Sequence, residues 1–250
     1  MIDFLPLIFF GVALFYSSVG FGGGSSYLAI LSLFLVDFHE IRTLALVLNV
    51  TVVTIGTAMY IKNKVFDIRK FWPFILFSMP VAFLGAQLRL SQKVFFLILG
   101  SALILSAVSM VLQSIKRKME ERELNWVQRG GFGMAIGFLS GVAGIGGGIF
   151  LSPVLNLYGW ATPRVIASLA SLFIWANSIA GLIGLYNADT LNLKLGFAVP
   201  IFGAVVIGGF LGSYLSNSKI NLNWIRILTA LLVGYVGLRI VLLYGFGIKI

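Results

Sequence analysis

The reading turns on "SSVGFGGGSSYLAIL", Ser17 to Leu31, where three consecutive glycines interrupt an apolar run extending from Phe4 to Val36. Glycine weakens a helix interior by roughly 1 kcal/mol relative to alanine, so a triple glycine marks a break. A straight helix over the whole run would be about 50 Å long, against a hydrocarbon core of about 30 Å. Two full crossings would need about 40 residues plus a turn. The segment is too long for one pass and too short for two.

The surrounding chain makes this a membrane problem. Of 250 residues, 59% are hydrophobic and only 10% charged, too little charge to cover a soluble domain. The formal net charge of +10 could suggest nucleic acid, but the basic residues cluster in short loops, as positive-inside topology requires. Nucleic acid is therefore not an expected partner; the lipid bilayer is. With no cysteine and a single histidine, His39, thiolate chemistry and His/Cys metal sites find no ligands. The opening "MIDFLPLIFF" lacks the basic stretch and small-residue site of a cleaved signal peptide.

Six other segments have the length of a full crossing: 43–61, 71–88, 94–113, 164–184, 195–215 and 224–244. One more, about 130–158, shares the anomaly of the first, and it carries "SGVAGIGGGIFLSPVL", Ser140 to Leu155. A shift of 124 residues sets Gly20 on Gly144 and Gly22, Gly23 and Gly24 on Gly146, Gly147 and Gly148. A small slip then brings Arg42 onto Arg164, Pro73 meets Pro200, and "FLGAQL" (Phe83–Leu88) meets "FLGSYL" (Phe210–Leu215). Matching features in matching order read as an internal duplication. The expected architecture is an all-α polytopic membrane protein of two homologous repeats. Each repeat has a glycine-broken segment and three full transmembrane helices. The first spans 1–113, the second 130–250, and 114–129 form a charged cytoplasmic loop.

That loop and "KNKVFDIRK", Lys62 to Lys70, are the most basic stretches, and both belong inside. The glycine segments leave the second half open. Broken single crossings would make the repeats parallel; re-entrant hairpins would make them inverted. Counting Lys and Arg gives about 12 inside and 6 outside either way. The weakly charged loop "YNADTLNLK", Tyr186 to Lys194, corresponds to the basic loop of the first half and favours inversion, which also suits alternating access.

Irregular backbone in hydrocarbon must be buried in protein or line a wet cavity. New helices should begin past each break, near Ser25 and Ile149, presenting free amides and about half a positive charge to an anion. The competing explanation is close helix packing through small residues. No Asp or Glu falls within the six crossings, which disfavours a metal-ion path. Uncharged polar groups do lie at depth: Asn49, Thr51 and Thr54 in the first repeat, and Ser168, Ser171, Asn177 and Ser178 in the second. The substrate-binding candidates are Gly22, Gly23, Gly24, Ser25, Ser26 and Asn49, with Gly146, Gly147, Gly148, Ser171 and Asn177. Arg42 and Arg164, at helix entrances, either snorkel or steer anions. Trp72, Trp126, Trp160 and Trp224 fall near segment ends, as an aromatic belt would.

The doubled "G-x-G-G-G", followed by a proline-bearing helix and "FLG-x-x-L", resembles the sulfite exporter TauE/SafE family of membrane permeases over about residues 10–245. The resemblance implies a multi-pass transporter of the prokaryotic plasma (inner) membrane for small sulfur-containing anions: sulfite, sulfonates, sulfoacetate or thiosulfate. No catalytic residues, metal or cofactor are expected. A passive anion channel and a non-transporting membrane subunit remain the alternatives, and a homo-oligomer is left open. "GGGSSY" against "GGGIFL" suggests unequal half-sites.

Overall fold

The computed structural model describes residues 4–32, 34, 37–88, 90–115, 122–193, 198–217 and 222–248. The described chain is helical: α1 (Leu5–Ser18), α2 (Gly24–Leu31), α3 (Phe38–Lys62), α4 (Ile68–Gln87), α5 (Gln92–Ile115), α6 (Trp126–Ala143), α7 (Gly148–Tyr158), α8 (Pro163–Asn187), α9 (Ala198–Asn217) and α10 (Leu222–Val241), the last running into a π-helical turn (Leu242–Phe246). Among the described residues six helices are long and apolar enough to cross a membrane. They are the six segments expected, while α1/α2 and α6/α7 are short helices flanking the two glycine breaks.

The second break turns the chain back on itself. Tyr158, at the end of α7, packs edge-on against Phe132 near the start of α6, with ring centroids 6.4 Å apart. The amide of Arg122, just before α6, donates to the Gly159 carbonyl just after α7 at 2.8 Å. An 18-residue helix and an 11-residue return therefore begin and end at the same level. The first break behaves alike where α1 and α2 touch: Phe9 stacks on Tyr27 at 5.0 Å, and Tyr16 reaches Ser26 at 2.7 Å.

Helix partners cross between the halves. α4 packs on α6 and α1 on α9; α5 packs on α10 and α3 on α8. Glycine makes these approaches possible. A Cβ on Gly133, Gly137 or Gly141 of α6 would run into Phe74, Ser78 or Ala82 of α4, and one on Gly208 or Gly212 of α9 would strike Phe10 or Leu14 of α1. Apolar side chains cannot distinguish lipid from protein, so close backbone approach supplies the packing energy here. The register of contacts gives direction. In α3 against α8, Gly56 faces Ser171 while Leu46 faces Gly181, which is antiparallel. In α5 against α10, Gly100 faces Val241 while Ala107 faces Gly234, again antiparallel.

α3 and α8 form the centre, and α4, α5, α9 and α10 present Leu84, Leu105, Ile207 and Leu231 outward. Three expectations shift. Trp160 is buried against Phe71 and Phe74 instead of joining a surface belt, because the α7 return draws it under α4. Glu40 lies inside the first turn of α3 and is 4% exposed, because that helix starts five residues earlier than the hydropathy boundary at 43. The inter-repeat stretch is shorter than 114–129, since α5 runs to Ile115 and the Asn125–Gln128 capping box starts α6 at Trp126. The charged residues 116–121 lie outside the described residues, as does the side chain of Trp224.

Candidate functional site

Each break is made by glycines in backbone conformations that L side chains rarely adopt: Gly20 (φ +85), Gly23 (+88), Gly144 (+64), Gly146 (+75) and Gly147 (+82). The left-handed region costs a residue with a Cβ roughly 1–2 kcal/mol, so glycine is needed at these positions. Gly23 and Gly147 are the N-caps of α2 and α7, and neither helix is capped by the side chain of its own N-cap. Both helices begin one residue before the positions expected from sequence.

Asn49 brings the two breaks together. Its Oδ1 accepts from the Gly24 amide at 2.9 Å, the first amide of α2, and its Nδ2 donates to the Ile145 carbonyl in the second break at 3.0 Å. The side chain is fully buried, and a Cβ on Gly22 or Gly24 would collide with it. A Cβ on Gly146 would lie 3.0 Å from its Nδ2. One amide thus joins two loops whose bonded residues, Gly24 and Ile145, lie far apart in sequence.

At the second break α8 takes the part that α3 takes at the first, with different chemistry. A Cβ on Gly148 would meet Ile174, where Gly24 meets Asn49. Isoleucine offers nothing to the first amides of α7. Buried polar atoms with no hydrogen-bond partner lie nearby: Ser178 Oγ beside Gly146 and Ser140 Oγ beside Gly147, with Asn177 Oδ1 one turn along α8 from Phe173. Asn177 is one turn beyond Phe173, whose ring abuts Gly147, and its Nδ2 donates back to the Phe173 carbonyl. Buried polar groups without partners are uncommon and mark places where a ligand or water has a role.

The remaining expected residues divide. Ser25 and Ser26 sit at the first break, with their hydroxyls turned to the buried Tyr16 OH at 3.4 and 2.7 Å. Ser171 makes its bonds at the α3–α8 crossing: its Oγ donates to the Val53 carbonyl at 3.2 Å and pairs with Thr57 at 3.1 Å. Thr51 and Thr54 bond back to their own helix. Sequence reasoning did not propose Tyr16 or Ser140 as site residues. Each is a polar group on an apolar helix just before a break, and that proximity was the available signal.

Arg42 and Arg164 are not equivalent. Arg42 is 4% exposed and donates through Nη2 to the Gly141 and Val142 carbonyls at the end of α6, at 2.5 and 3.3 Å. A Cβ on Gly144 would touch Arg42, whereas one on Gly20, the matching glycine, would touch Ala167. Structurally Arg42 thus corresponds to Ala167, one turn further along α8 than the sequence alignment placed it. Arg164 is exposed and lines a cavity of about 40 Å³ with Ser18, Phe21, Asn156 and Ser216. A larger cavity of about 330 Å³ opens beside Arg42. Among the described residues no group of His, Asp or Glu could hold a metal ion.

The profile of the sulfite exporter TauE/SafE family matches residues 5–240. The chain belongs to that family. A probable membrane transporter protein of Sinorhizobium fredii is 30% identical over 244 residues, covering 94% of this chain and 96% of the relative. A probable membrane transporter protein of Methanocaldococcus jannaschii is 34% identical over 116 residues, 44% of this chain and 43% of its own. No solved structure matches significantly. As a TauE/SafE member with six crossing helices, the chain is a multi-pass membrane transporter.

Proposed function

We propose that this transporter moves a small sulfur-containing oxyanion, such as sulfite or a sulfonate, across the plasma membrane by alternating access, with the substrate held between the two glycine breaks. The observation that carries this reading is the Asn49 bridge: one buried amide ties both breaks together beside the unpartnered Ser140 and Ser178 hydroxyls and Asn177 Oδ1. The starts of α2 and α7 bring fixed amide dipoles to the same region, and such helix ends favour anions without any carboxylate or metal. Gly22, Gly23, Gly24, Gly146, Gly147 and Gly148 supply close backbone approach, with Ser25 and Ser26 in support. Ser171, bonded to Val53 and Thr57, supports the set from the α3–α8 crossing. The substrate class itself rests on the family.

Two inverted repeats fit alternating access, because exchanging the conformations of the halves turns an outward-facing state into an inward-facing one. The antiparallel crossings of α3 on α8 and α5 on α10, and the return of α7 to the level at which α6 starts, support inversion. The test is uptake of labelled sulfite and labelled methanesulfonate into proteoliposomes. Saturable flux abolished by Gly147→Leu is expected; current that scales with driving force without saturation would replace the transporter with a passive channel.

A further inference from the structure

The cavity of about 330 Å³ is lined by Phe38, His39, Arg42, Gln87, Leu88, Asp189 and Thr190, among others. Arg42 lines it and also touches the second break, where a Cβ on Gly144 would meet its side chain. The guanidinium lies over the Phe95 ring at 5.7 Å and reaches the last carbonyls of α6, so it links α3, α5 and α6. Its Nε, buried, has no hydrogen-bond partner. A helix C-terminus carries about half a negative charge, so two carbonyl contacts compensate the buried cation only in part.

The opposite half lacks this arrangement. At the equivalent position Ala167 faces Gly20, and the smaller cavity there passes beside Ala167 to reach Ser18, Val19 and Phe21 at the first break. Where alanine stands the cavity meets the break; where arginine stands the break is covered. The difference is local to one side chain.

We propose that the larger cavity is an anion-capture site and that Arg42 is its latch: an oxyanion entering the cavity takes the guanidinium from the Gly141 and Val142 carbonyls and uncovers Gly144 and Ile145. Arginine suits this role because its planar fork pairs with an oxyanion in two hydrogen bonds, which are stronger than bonds to neutral carbonyls. Gln87 Nε2, with one N–H beyond its bond to the Phe83 carbonyl, adds a neutral donor at the wall. Asp189, exposed on the same wall, repels a second negative charge, so the site favours a monoanionic head over a dianion. This inference rests on the transport reading only for its consequence in flux; capture and uncovering stand without it.

The experiment uses full-length protein in nanodiscs, titrated with sodium methanesulfonate or sodium sulfate against sodium chloride at matched ionic strength. Methanesulfonate binding that saturates, weakens at least about tenfold in Arg42→Gln and survives better in Arg42→Lys is the expected result. Sulfate should bind more weakly than methanesulfonate. Because the chain has no cysteine, Ile145→Cys provides a clean probe of the break. A membrane-impermeant cationic methanethiosulfonate reagent should label it slowly, and faster with methanesulfonate present or in the Arg42→Gln background. Methanesulfonate binding indifferent to Arg42→Gln would overturn the site, and labelling indifferent to both would overturn the latch. Sulfate binding as tightly as methanesulfonate would overturn the charge preference. If Arg42→Gln does not fold, Arg42→Lys with the same labelling decides: unchanged binding and labelling would overturn the proposal. Arg42-dependent binding in a protein with no flux would instead remove the transport reading and leave this one standing.

Discussion

Asn49 is the residue on which the two breaks depend most. Asn49→Leu keeps volume and burial but strands the Gly24 amide and the Ile145 carbonyl, each costing about 1–3 kcal/mol when buried and unpaired. The expected outcome is a lower melting temperature in detergent and a loss of anion uptake exceeding about tenfold, measured on the same preparation. A variant as stable and as active as the parent would remove Asn49 from the site. Gly147→Ala tests the other break: with φ at +82 and Ser140 and Phe173 within 3 Å of the new Cβ, strain of roughly 1–2 kcal/mol adds to a clash. It should destabilise more than Gly131→Ala, where nothing lies within 4 Å, and a matched pair of thermal melts reads the difference. The glycines were legible in sequence because their spacing repeats. Asn49 was legible only as a polar group at depth; its bridging role was not, since the Ile145 carbonyl comes from another part of the chain.

Among the elements, the start of α3 holds a pH-sensitive contact. Asp37 caps α3, accepting from the His39 and Glu40 amides at 2.9 and 3.4 Å and from Asn192 Nδ2 at 2.6 Å. Desolvation pushes its carboxyl up, but the hydrogen bonds from the His39 and Glu40 amides and from Asn192 outweigh it and hold the group below its ordinary value. A folded-state value below the unfolded one means stability that is present above the unfolded pKa and lost as pH falls through the folded one. Stability should therefore decline on acidification below about pH 4, and Asp37→Asn should flatten part of that decline in melts recorded across pH. A slope unchanged by Asp37→Asn would show that the cap does not tie α3 to Asn192. The six long crossings were legible because length and hydropathy are properties of single segments. Their partners were not. A helix that meets lipid on one side and protein on the other is apolar all round, so periodicity carries little facing information; the exceptions are the glycine rows of α6 (Gly133, Gly137, Gly141) and α9 (Gly208, Gly212), spaced to meet α4 and α1. Trp160 shows the same limit, because its position near a segment end said nothing of the return that buries it.

At the scale of the whole molecule the decisive property is the sense in which the halves cross. Charge could not settle it, because the same number of basic residues falls inside under either arrangement. The backbone contacts bear on it directly: matched helices α3 and α8 run antiparallel, as do α5 and α10, while α4 runs parallel to α6 and α1 parallel to α9. With the basic loop from Lys62 to Lys70 inside, these directions send α4 outward, α5 inward, α8 outward, α9 inward and α10 outward. The chain around Ile248 then lies on the outer face, together with the loop at Leu191, and the Arg42 cavity opens to the same side through Gln87 and Asp189. Single cysteines at Lys62, Leu191 and Ile248, in a chain that has none, report this in intact cells. All three replaced residues are exposed. Leu191→Cys and Ile248→Cys should react with an impermeant maleimide from outside, and Lys62→Cys only after permeabilisation. Reaction of Ile248→Cys only after permeabilisation would mean parallel repeats with broken crossings. The two mouths would then no longer be related by exchange of the halves, and alternating access through a shared break would lose its structural basis.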